Sequence, residues 1–497
     1  MNFLRKLSTS GSFPLCYNLL PHFAAAEQDY NNLINYAKDA LQDGRIQTFF
    51  LFYRPTCKQE FSSLRLAEDI LAADGEPIIS LALTFHDRKT VMDRLQKYIR
   101  AGVQQFVFVS GDYPLRIEAK NAKPVYDIDS VQLLMLLADL LELTDIAKGC
   151  VINPFKHFES EQIWQYEKLR RKISLGADFI VSQIGYDLRK FDELIQFCTL
   201  NKITAPLVAN VYTADMQTAG MIQARAIPGV KMPGSLLRML NEKKPEWKPA
   251  VRRTVKTLSV LKGLGYQGAL LGSATISFSE TKKILDEKEG LEEEWQNFVA
   301  ELDYSDGSAP QFYYFQKDPQ NSLNSSEPAP VALKHFPSLT YLFSYFIDWL
   351  VYVPQGPLFK MTGRFCHFCS TSRFWYGFLW LLEYVSKRPL YGCNMCGDCT
   401  LYACGFLCYQ SGCPKKLQNG PCGGSIEGYC EVFPGKKRCY WVKVYHNMKG
   451  VRQHVTFTAQ PIPARDISLH RTSSWINFFT GKDHRKMKFE ETAGKPT

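Results

Sequence analysis

No apolar run in this 497-residue chain is long enough to cross a bilayer. The most apolar stretch, 339–353, has about 15 residues and contains Asp348, short of the roughly 18–20 that a spanning helix needs. The first sixteen residues carry Arg5 and Lys6 but no continuous apolar segment, so no secretory leader is expected. Neither sign of charge dominates: 59 Lys and Arg against 49 Asp and Glu leave a formal +10, which allows an anionic partner without singling out nucleic acid. Charged residues make up 22% and hydrophobic residues 45%, which excludes a mostly disordered chain. The length implies two or three domains with a full core. These features predict a soluble, cytoplasmic protein.

Cysteine is scarce over most of the chain. Of 15 cysteines, only Cys16, Cys57, Cys150 and Cys198 lie outside the segment from Cys366 to Cys439. The eleven inside it run Cys366-x2-Cys369, then Cys393-x2-Cys396-x2-Cys399-x4-Cys404-x3-Cys408-x4-Cys413-Pro, then Cys422, Cys430 and Cys439. In a reducing compartment such crowding reads as metal ligation before disulfides. A C-x2-C step brings two thiolates to one metal from a tight turn. C-x2-C-x2-C with a later Cys-Pro is the grammar of a [4Fe–4S] site. The gap of four before Cys404 leaves the ligand set open, and tetra-thiolate zinc is the rival. Eleven cysteines suffice for two four-ligand sites.

The first 275 residues alternate short apolar runs with helical periodicity. Candidate strands are 13–19, 48–53, 78–84, 105–110, 149–153, 179–184, 205–211, a short one near Val230, and 268–272. Candidate helices are 27–41, 62–73, 89–100, 130–143, 160–175, 191–201 and 248–264; in the third, Val91, Leu95 and Tyr98 share one face. Such alternation implies parallel strands under helices. The predicted class is α/β: a (βα)8 TIM-type barrel, with a doubly wound sheet as the alternative, followed by a small cysteine-rich metal-binding domain. The expected boundaries are a barrel at 1–304, a linker at 305–335, the cysteine-rich domain at 336–450 and a basic tail at 451–497.

Barrel chemistry sits just past the carboxyl ends of the strands. There the chain places Ser110-Gly111-Asp112-Tyr113-Pro114, then Asn153-Pro154-Phe155-Lys156-His157, then Ser182 and Gln183 followed by Tyr186 and Asp187. Lys172 lies on the intervening helix in Arg170-Arg171-Lys172. At these residues the sequence resembles the methylenetetrahydrofolate reductase family. SLALTFHDRKTVMDRLQKYIRAGVQQFVFVSGDYP (80–114), INPFKHFE (152–159) and LRRKISLGADFIVSQIGYD (169–187) are similar to its characteristic segments. The resemblance implies a flavin barrel, with FAD or FMN, that reduces the methylene group of a tetrahydrofolate to methyl. It implies that Asp112 is catalytic and lies beside flavin and folate. By the same likeness Ser110 and Gly111 lie near the flavin, His157 and Lys172 bind its ribityl or phosphate portion, and Gln183 holds the pterin.

The chain departs from the family pattern at informative places. Asn18 stands where the family has a Glu that protonates the leaving nitrogen, and a carboxamide cannot supply that proton. Ser110 replaces an Arg, Ala82 a His, and Asn153 a Tyr. Tyr17 and Tyr186 are candidate donors in place of the Glu, Tyr186 on the substrate side with Gln183.

Beyond the barrel, the acidic stretch 285–302 is expected to close it, and 305–330 reads as a linker rich in Ser, Pro, Asn and Gly. The aromatic-rich segments 336–353 and 374–384 read as core helices, packing on the barrel or covering the metal region, in preference to a membrane-surface anchor. Residues 393–448, with Asn-Gly-Pro-Cys-Gly-Gly at 419–424, resemble the cysteine-rich C-terminal domain of methylenetetrahydrofolate reductases. That likeness implies a metal domain passing electrons to the flavin. The tail from Tyr440 has ten Lys and Arg against four Asp and Glu, with His484-Arg485-Lys486 as a cluster. It is expected to be solvated, and docking of an acidic redox partner such as ferredoxin is the functional alternative. Two other functions fit: folate-dependent methyl transfer, demethylation or a redox-partner subunit on a degenerate barrel, and a non-enzymatic zinc-stabilised binding protein.

Overall fold

The computed structural model describes residues 3–9, 11–19, 27–52, 63–113, 123–140, 145–225, 227–242, 247–273, 277–288, 294–304, 311–329, 336–449 and 460–485. Pro21, Cys57, Pro114 and Lys486 lie outside them. The chain forms two compact units, 1–331 with 422–436, and 332–421 with 437–497.

The first unit is a closed parallel barrel of eight strands in sequence order. They are β1 (Leu15–Leu19), β2 (Ile46–Phe52), β3 (Glu76–Ala82), β4 (Gln105–Val109), β5 (Ala147–Ile152), β6 (Phe179–Ser182), β7 (Leu207–Tyr212) and β8 (Gly268–Gly272). A short helix, α1 (Phe3–Leu7), precedes β1. The others are α2 (Glu27–Asp43), α3 (Ser63–Ala72), α4 (Arg88–Arg100), α5 (Ser130–Ala138), α6 (Glu159–Ser174), α7 (Leu188–Leu200), α8 (Met216–Gln223), α9 (Gly234–Glu242), α10 (Trp247–Leu264), α11 (Phe278–Lys288) and α12 (Trp295–Glu301). The alternation of β-branched and aromatic runs with amphipathic helices produces this order. Aspartates stop the loops: Asp87, Asp129, Asp187 and Asp215 cap α4, α5, α7 and α8, and Asp129 closes a capping box with Gln132.

Side chains alternate across each strand. Cys16, Phe50, Ile78, Val107, Phe179, Val181, Val208 and Leu270 meet inside the barrel, joined by Phe3 and Leu7 of α1. A Cβ on Gly268, the first residue of β8, would lie 2.7 Å from the Leu7 side chain. The N-terminal helix therefore plugs the end where the strands begin, leaving the carboxyl end for chemistry.

Two expectations for this unit need correction. Val230 is not in a strand; it lies between α8 and α9, buried with Ile184, Tyr212 and Leu236 in a satellite core. The stretch read as a linker holds a hairpin, β9 (Phe315–Lys317) and β10 (Asn324–Pro328), docked on α7. Asp192 accepts from the Asn324 backbone at 2.8 Å, Arg189 donates to Asn324 Oδ1 at 2.7 Å, and buried Lys190 donates to the Phe312 carbonyl at 2.7 Å. The polar face of α7, which suggests solvent, is thus covered. The acidic stretch forms α12 and part of α11, both packed against α10.

The second unit contains α13 (Leu339–Val351), α14 (Phe359–Thr371), α15 (Arg373–Tyr391), α16 (Tyr409–Gly412), α17 (Tyr440–Lys449) and α18 (Ser474–Phe479), with the cysteine loops between α15 and α17. α18 overturns the expectation of a solvated tail: Ile476, Phe478 and Phe479 pack with Phe359, Cys366, Cys369 and Leu379. Burial of this apolar set outweighs the local excess of basic residues.

Candidate functional site

Above the apolar barrel interior, the inward positions two residues further along become polar. Cys16 gives way to Asn18, Ile78 to Ser80, Val181 to Gln183 and Val208 to Asn210. Asn18 and Asn210 are buried, and their Oδ1 atoms have no hydrogen-bond partner. Such orphan acceptors cost free energy in the folded protein, about 1–3 kcal/mol each, so their retention points to a ligand that donates. Gln183 uses Oε1 to accept from Ile184 N at 2.9 Å, and its amide NH2 remains to donate. The Tyr186 hydroxyl is also buried without a partner, and burial, with Tyr212 and Asp215 adding, pushes its ionisation far up, so it keeps its proton. Tyr17 points outward and stacks on Tyr36 at 4.1 Å.

The turn after β4 is built around Thr84, whose hydroxyl donates to the Ser110 carbonyl at 3.0 Å and is 3.3 Å from that of Asp112. Gly111 has φ +81°, and a Cβ there would lie 2.0 Å from Thr84 Oγ1, so only glycine closes this turn. The result exposes Asp112 at the mouth, with Ser110 Oγ 3.5 Å from Ser130 Oγ. Asp187, by contrast, caps α7.

His157 and Lys172 have other surroundings. His157 is half-buried; burial, then Lys231, Lys190 and Lys156, push it down to about 4, so it is neutral. Lys172 is buried between α6 and β5, where its ammonium donates to the Val151 carbonyl at 2.6 Å, and burial lowers it to about 8. It is not gathered with the β4 turn.

Sequence reasoning missed a second set of residues at this end. The segment Cys422–Lys436, grouped by sequence with the cysteine-rich domain, belongs to the barrel unit. Buried Lys156 donates to the carbonyls of Gly423 and Ser425, both at 2.6 Å. Asn153 Nδ2 donates to Gly423 O at 2.8 Å and Gly229 O at 3.0 Å, and Gln165 Nε2 to Cys422 O at 3.1 Å. Glu431 accepts from Tyr113 N at 2.9 Å and from the Cys422 thiol at 3.4 Å. A Cβ on Gly424 would sit 1.8 Å from Glu431 Oε2. The Asn-Gly-Pro-Cys-Gly-Gly signature was the available signal: glycine at 424 lets the backbone close on Glu431.

In the second unit, Cys393, Cys396, Cys399 and Cys408 are mutual neighbours. Burial pushes Cys396 up to about 12, with the charges Cys399, Cys408 and Cys393 would carry adding to it. Left-handed Met395 and Gly397 turn the loop back, and Met395 N–H donates to Cys393 Sγ at 3.3 Å. Lys387 Nζ lies 3.9 Å from Cys399 Sγ. Cys404, Cys408 and Cys413 surround Tyr440. Cys366 and Cys369 sit apart from this group in chemical setting, in the aromatic core of α14 and α18, and burial pushes Cys366 up to about 12. The tail closes the loop: Arg471 N donates to Met395 O, Asn477 Nδ2 to Gly397 O, and His484 Nδ1 to Asp398 at 2.5 Å. Four converging thiols and N–H···S contacts are a donor set suited to a thiophilic metal or cluster.

The histidines set an acid limit. Burial lowers His86 as well, to about 4, with Arg94 adding. Both imidazoles bind protons more readily in the unfolded chain, where they titrate near 6.5. Their contribution is complete above about pH 6.5 and is lost as pH falls through about 4. Urea midpoints should drop from pH 7 to pH 4.5, and His157→Gln should flatten that drop.

Residues 21–261 match the methylenetetrahydrofolate reductase family. Residues 380–468 match the family described as the methylene-tetrahydrofolate reductase C terminal. No curated protein matches. Among solved structures, an uncharacterized protein from Clostridium thermocellum that binds two copies of 5-methyl-5,6,7,8-tetrahydrofolic acid is 14% identical, with a TM-score of 0.45 over 58% of this chain and 98% of its own. A 2,3-dimethylmalate lyase is also 14% identical, with a TM-score of 0.34 over 59% of this chain and 85% of its own. Both family matches thus fall in one polypeptide, the methylenetetrahydrofolate reductase match over the eight-stranded barrel and the C-terminal match over the cysteine-rich region.

Proposed function

We propose that the barrel binds a flavin and 5,10-methylenetetrahydrofolate and reduces the methylene to a methyl group, and that the C-terminal cysteines would hold an iron–sulfur cluster, which would supply electron-transfer chemistry. The observation that carries this reading is the pair of buried, partnerless Asn18 and Asn210 oxygens on inward faces of the barrel. They suit a flat heterocycle that presents N–H donors, as isoalloxazine and pterin rings both do.

Ser110, Gly111, Asp112 and His157 are the residues we assign to the flavin, and Gln183 and Tyr186 to the folate. Lys172 is left out because its ammonium is already engaged. A bound reduced flavin supplies the hydride. The exposed Asp112 carboxylate stabilises the positive charge at the methylene carbon as that carbon accepts the hydride. Its bond to one folate nitrogen breaks, and that nitrogen takes a proton. Asn18 cannot give it; Tyr186, protonated and unpartnered, holds one. Cys393, Cys396, Cys399 and Cys408 are the ligands we assign to the cluster.

The test is the anaerobically purified full chain. It should show flavin bands over a broad iron–sulfur shoulder and turn methylenetetrahydrofolate into methyltetrahydrofolate with a low-potential donor. Asn18→Leu should raise the stability of the ligand-free protein by about 1 kcal/mol, by removing the orphan acceptor, while weakening flavin or folate binding about tenfold. Folate binding without turnover would move the assignment to methyl transfer or a redox-partner subunit. A colourless protein indifferent to folate would end it.

A further inference from the structure

The aromatic helices of the second unit do not behave as core helices. Sixteen of the 25 exposed large hydrophobic residues among those described lie on α13, α14 and α15. They form stripes at helical spacing. On α13, Leu339, Leu342, Phe343, Phe346 and Trp349 fall on one face while Tyr341 and Ser344 are buried. On α14, Met361, Phe365 and Phe368 lie opposite Cys366 and Cys369, which face the core. On α15, Phe374, Phe378, Leu381 and Val385 lie opposite Leu379 and Glu383. Each helix therefore buries one side and offers an apolar side to the outside, far more than scattered surface residues would.

The charges beside these stripes have one sign. Lys360, Arg364, Arg373 and Arg388 are exposed. The three helices hold only two acidic residues, Asp348 and Glu383. Glu383 is 1% exposed and paired with Lys387 at 2.8 Å. Asp348 is half-buried, and burial pushes its carboxyl up to about 6. Among the described residues, no helix is long and apolar enough to cross a membrane. Short helices with Trp, Phe and Leu on one side and Lys and Arg beside them bind in the plane of a lipid interface. Anionic headgroups complement the four cations, an attraction that salt screens within a Debye length.

We propose that α13, α14 and α15 form a surface that docks the protein, without spanning, on a membrane rich in anionic lipid. The aromatic residues would enter the interfacial layer while the cations meet the headgroups. This inference does not depend on the chemistry of the barrel.

The test is flotation of the full-length holoprotein with phosphatidylcholine vesicles with and without 30 mol% phosphatidylglycerol (about a third anionic, the regime in which juxtamembrane cations act). At least tenfold stronger binding to the anionic vesicles is expected, weakened in high salt. Phe365→Ser and Phe378→Ser, both at exposed positions, should lower binding to either vesicle while leaving thermal unfolding unchanged. Arg364→Glu with Arg373→Glu should abolish only the anionic preference. A chain that stays in the aqueous fraction overturns the proposal. So does a dimer in sedimentation that Phe378→Ser dissociates, since it assigns the face to a second copy, and so does capture of an acidic protein without vesicle binding.

Discussion

Replacing Lys156 by methionine should release Cys422–Lys436 from the barrel. The Lys156 ammonium is 2% exposed and donates to the carbonyls of Gly423 and Ser425. Methionine fills most of the volume but donates nothing: the buried Ser425 carbonyl loses this donor, while Gly423 O keeps its bond from Asn153 Nδ2. Charge-assisted bonds contribute about 1.5–3 kcal/mol each and orphaned acceptors cost about 1–3 kcal/mol, so the local loss should be about 3–5 kcal/mol. Hydrogen exchange would read it as lost protection over 422–436, with protection in β1–β8 retained. If the segment stayed protected, Asn153, Gln165 and Glu431 would be sufficient to hold it, and the central place given to Lys156 would be wrong.

Glu383→Ala should have a comparable effect in the other unit. Burial alone would raise this carboxyl, but Lys387, Ser473 and Ser474 override burial and hold it below its ordinary range. Lys387 Nζ donates to Glu383 at 2.8 Å, Ser473 Oγ and Ser474 Oγ at 2.6 Å each. Removing the carboxylate strands a buried ammonium, which costs about 3–5 kcal/mol when a buried pair is broken. The clasp between α15 and α18 should loosen, and α18 with the following turn screens the Gly397 and Asp398 backbone. Thiol labelling of Cys399, beside Lys387, should therefore accelerate along with the drop in urea midpoint. Glu383→Ala with Lys387→Met should recover much of the stability, because it removes both charges together. Labelling that did not change would mean that the tail does not guard the cysteine loop.

The barrel is legible in sequence because its determinants are local. Short continuous apolar runs such as 105–109 and period-3.6 stretches such as 88–100 announce themselves within a dozen residues, and eight alternations leave few architectures. Asp112 and Gln183 are legible for the same reason, as polar residues at ends of apolar runs. Asn210 was not singled out, because a lone asparagine inside LVANVY resembles tolerated variation until the barrel closes and shows its oxygen without a partner. The role of Lys156 depends on residues 267 and 269 positions away, and no window of sequence carries that separation. The aromatic helices misled for a different reason. Amphipathicity shows that a face wants burial, not whether the chain itself supplies the cover. The tail misled through charge, since Ile476, Phe478 and Phe479 anchor it despite its basic composition.

The interleaving of the two units bears on synthesis. The barrel's own closing piece lies about a hundred residues downstream of the rest of it, after a long excursion through the other unit. At roughly 5–20 residues per second on the ribosome, β1–β8 are complete about 8–30 s before Cys422–Lys436 emerge. During that interval Lys156 lacks the Gly423 and Ser425 carbonyls, and Asn153 lacks Gly423. A nascent barrel would therefore wait in an unfinished, chaperone-accessible state, and a gene cut after residue 331 would encode that state permanently.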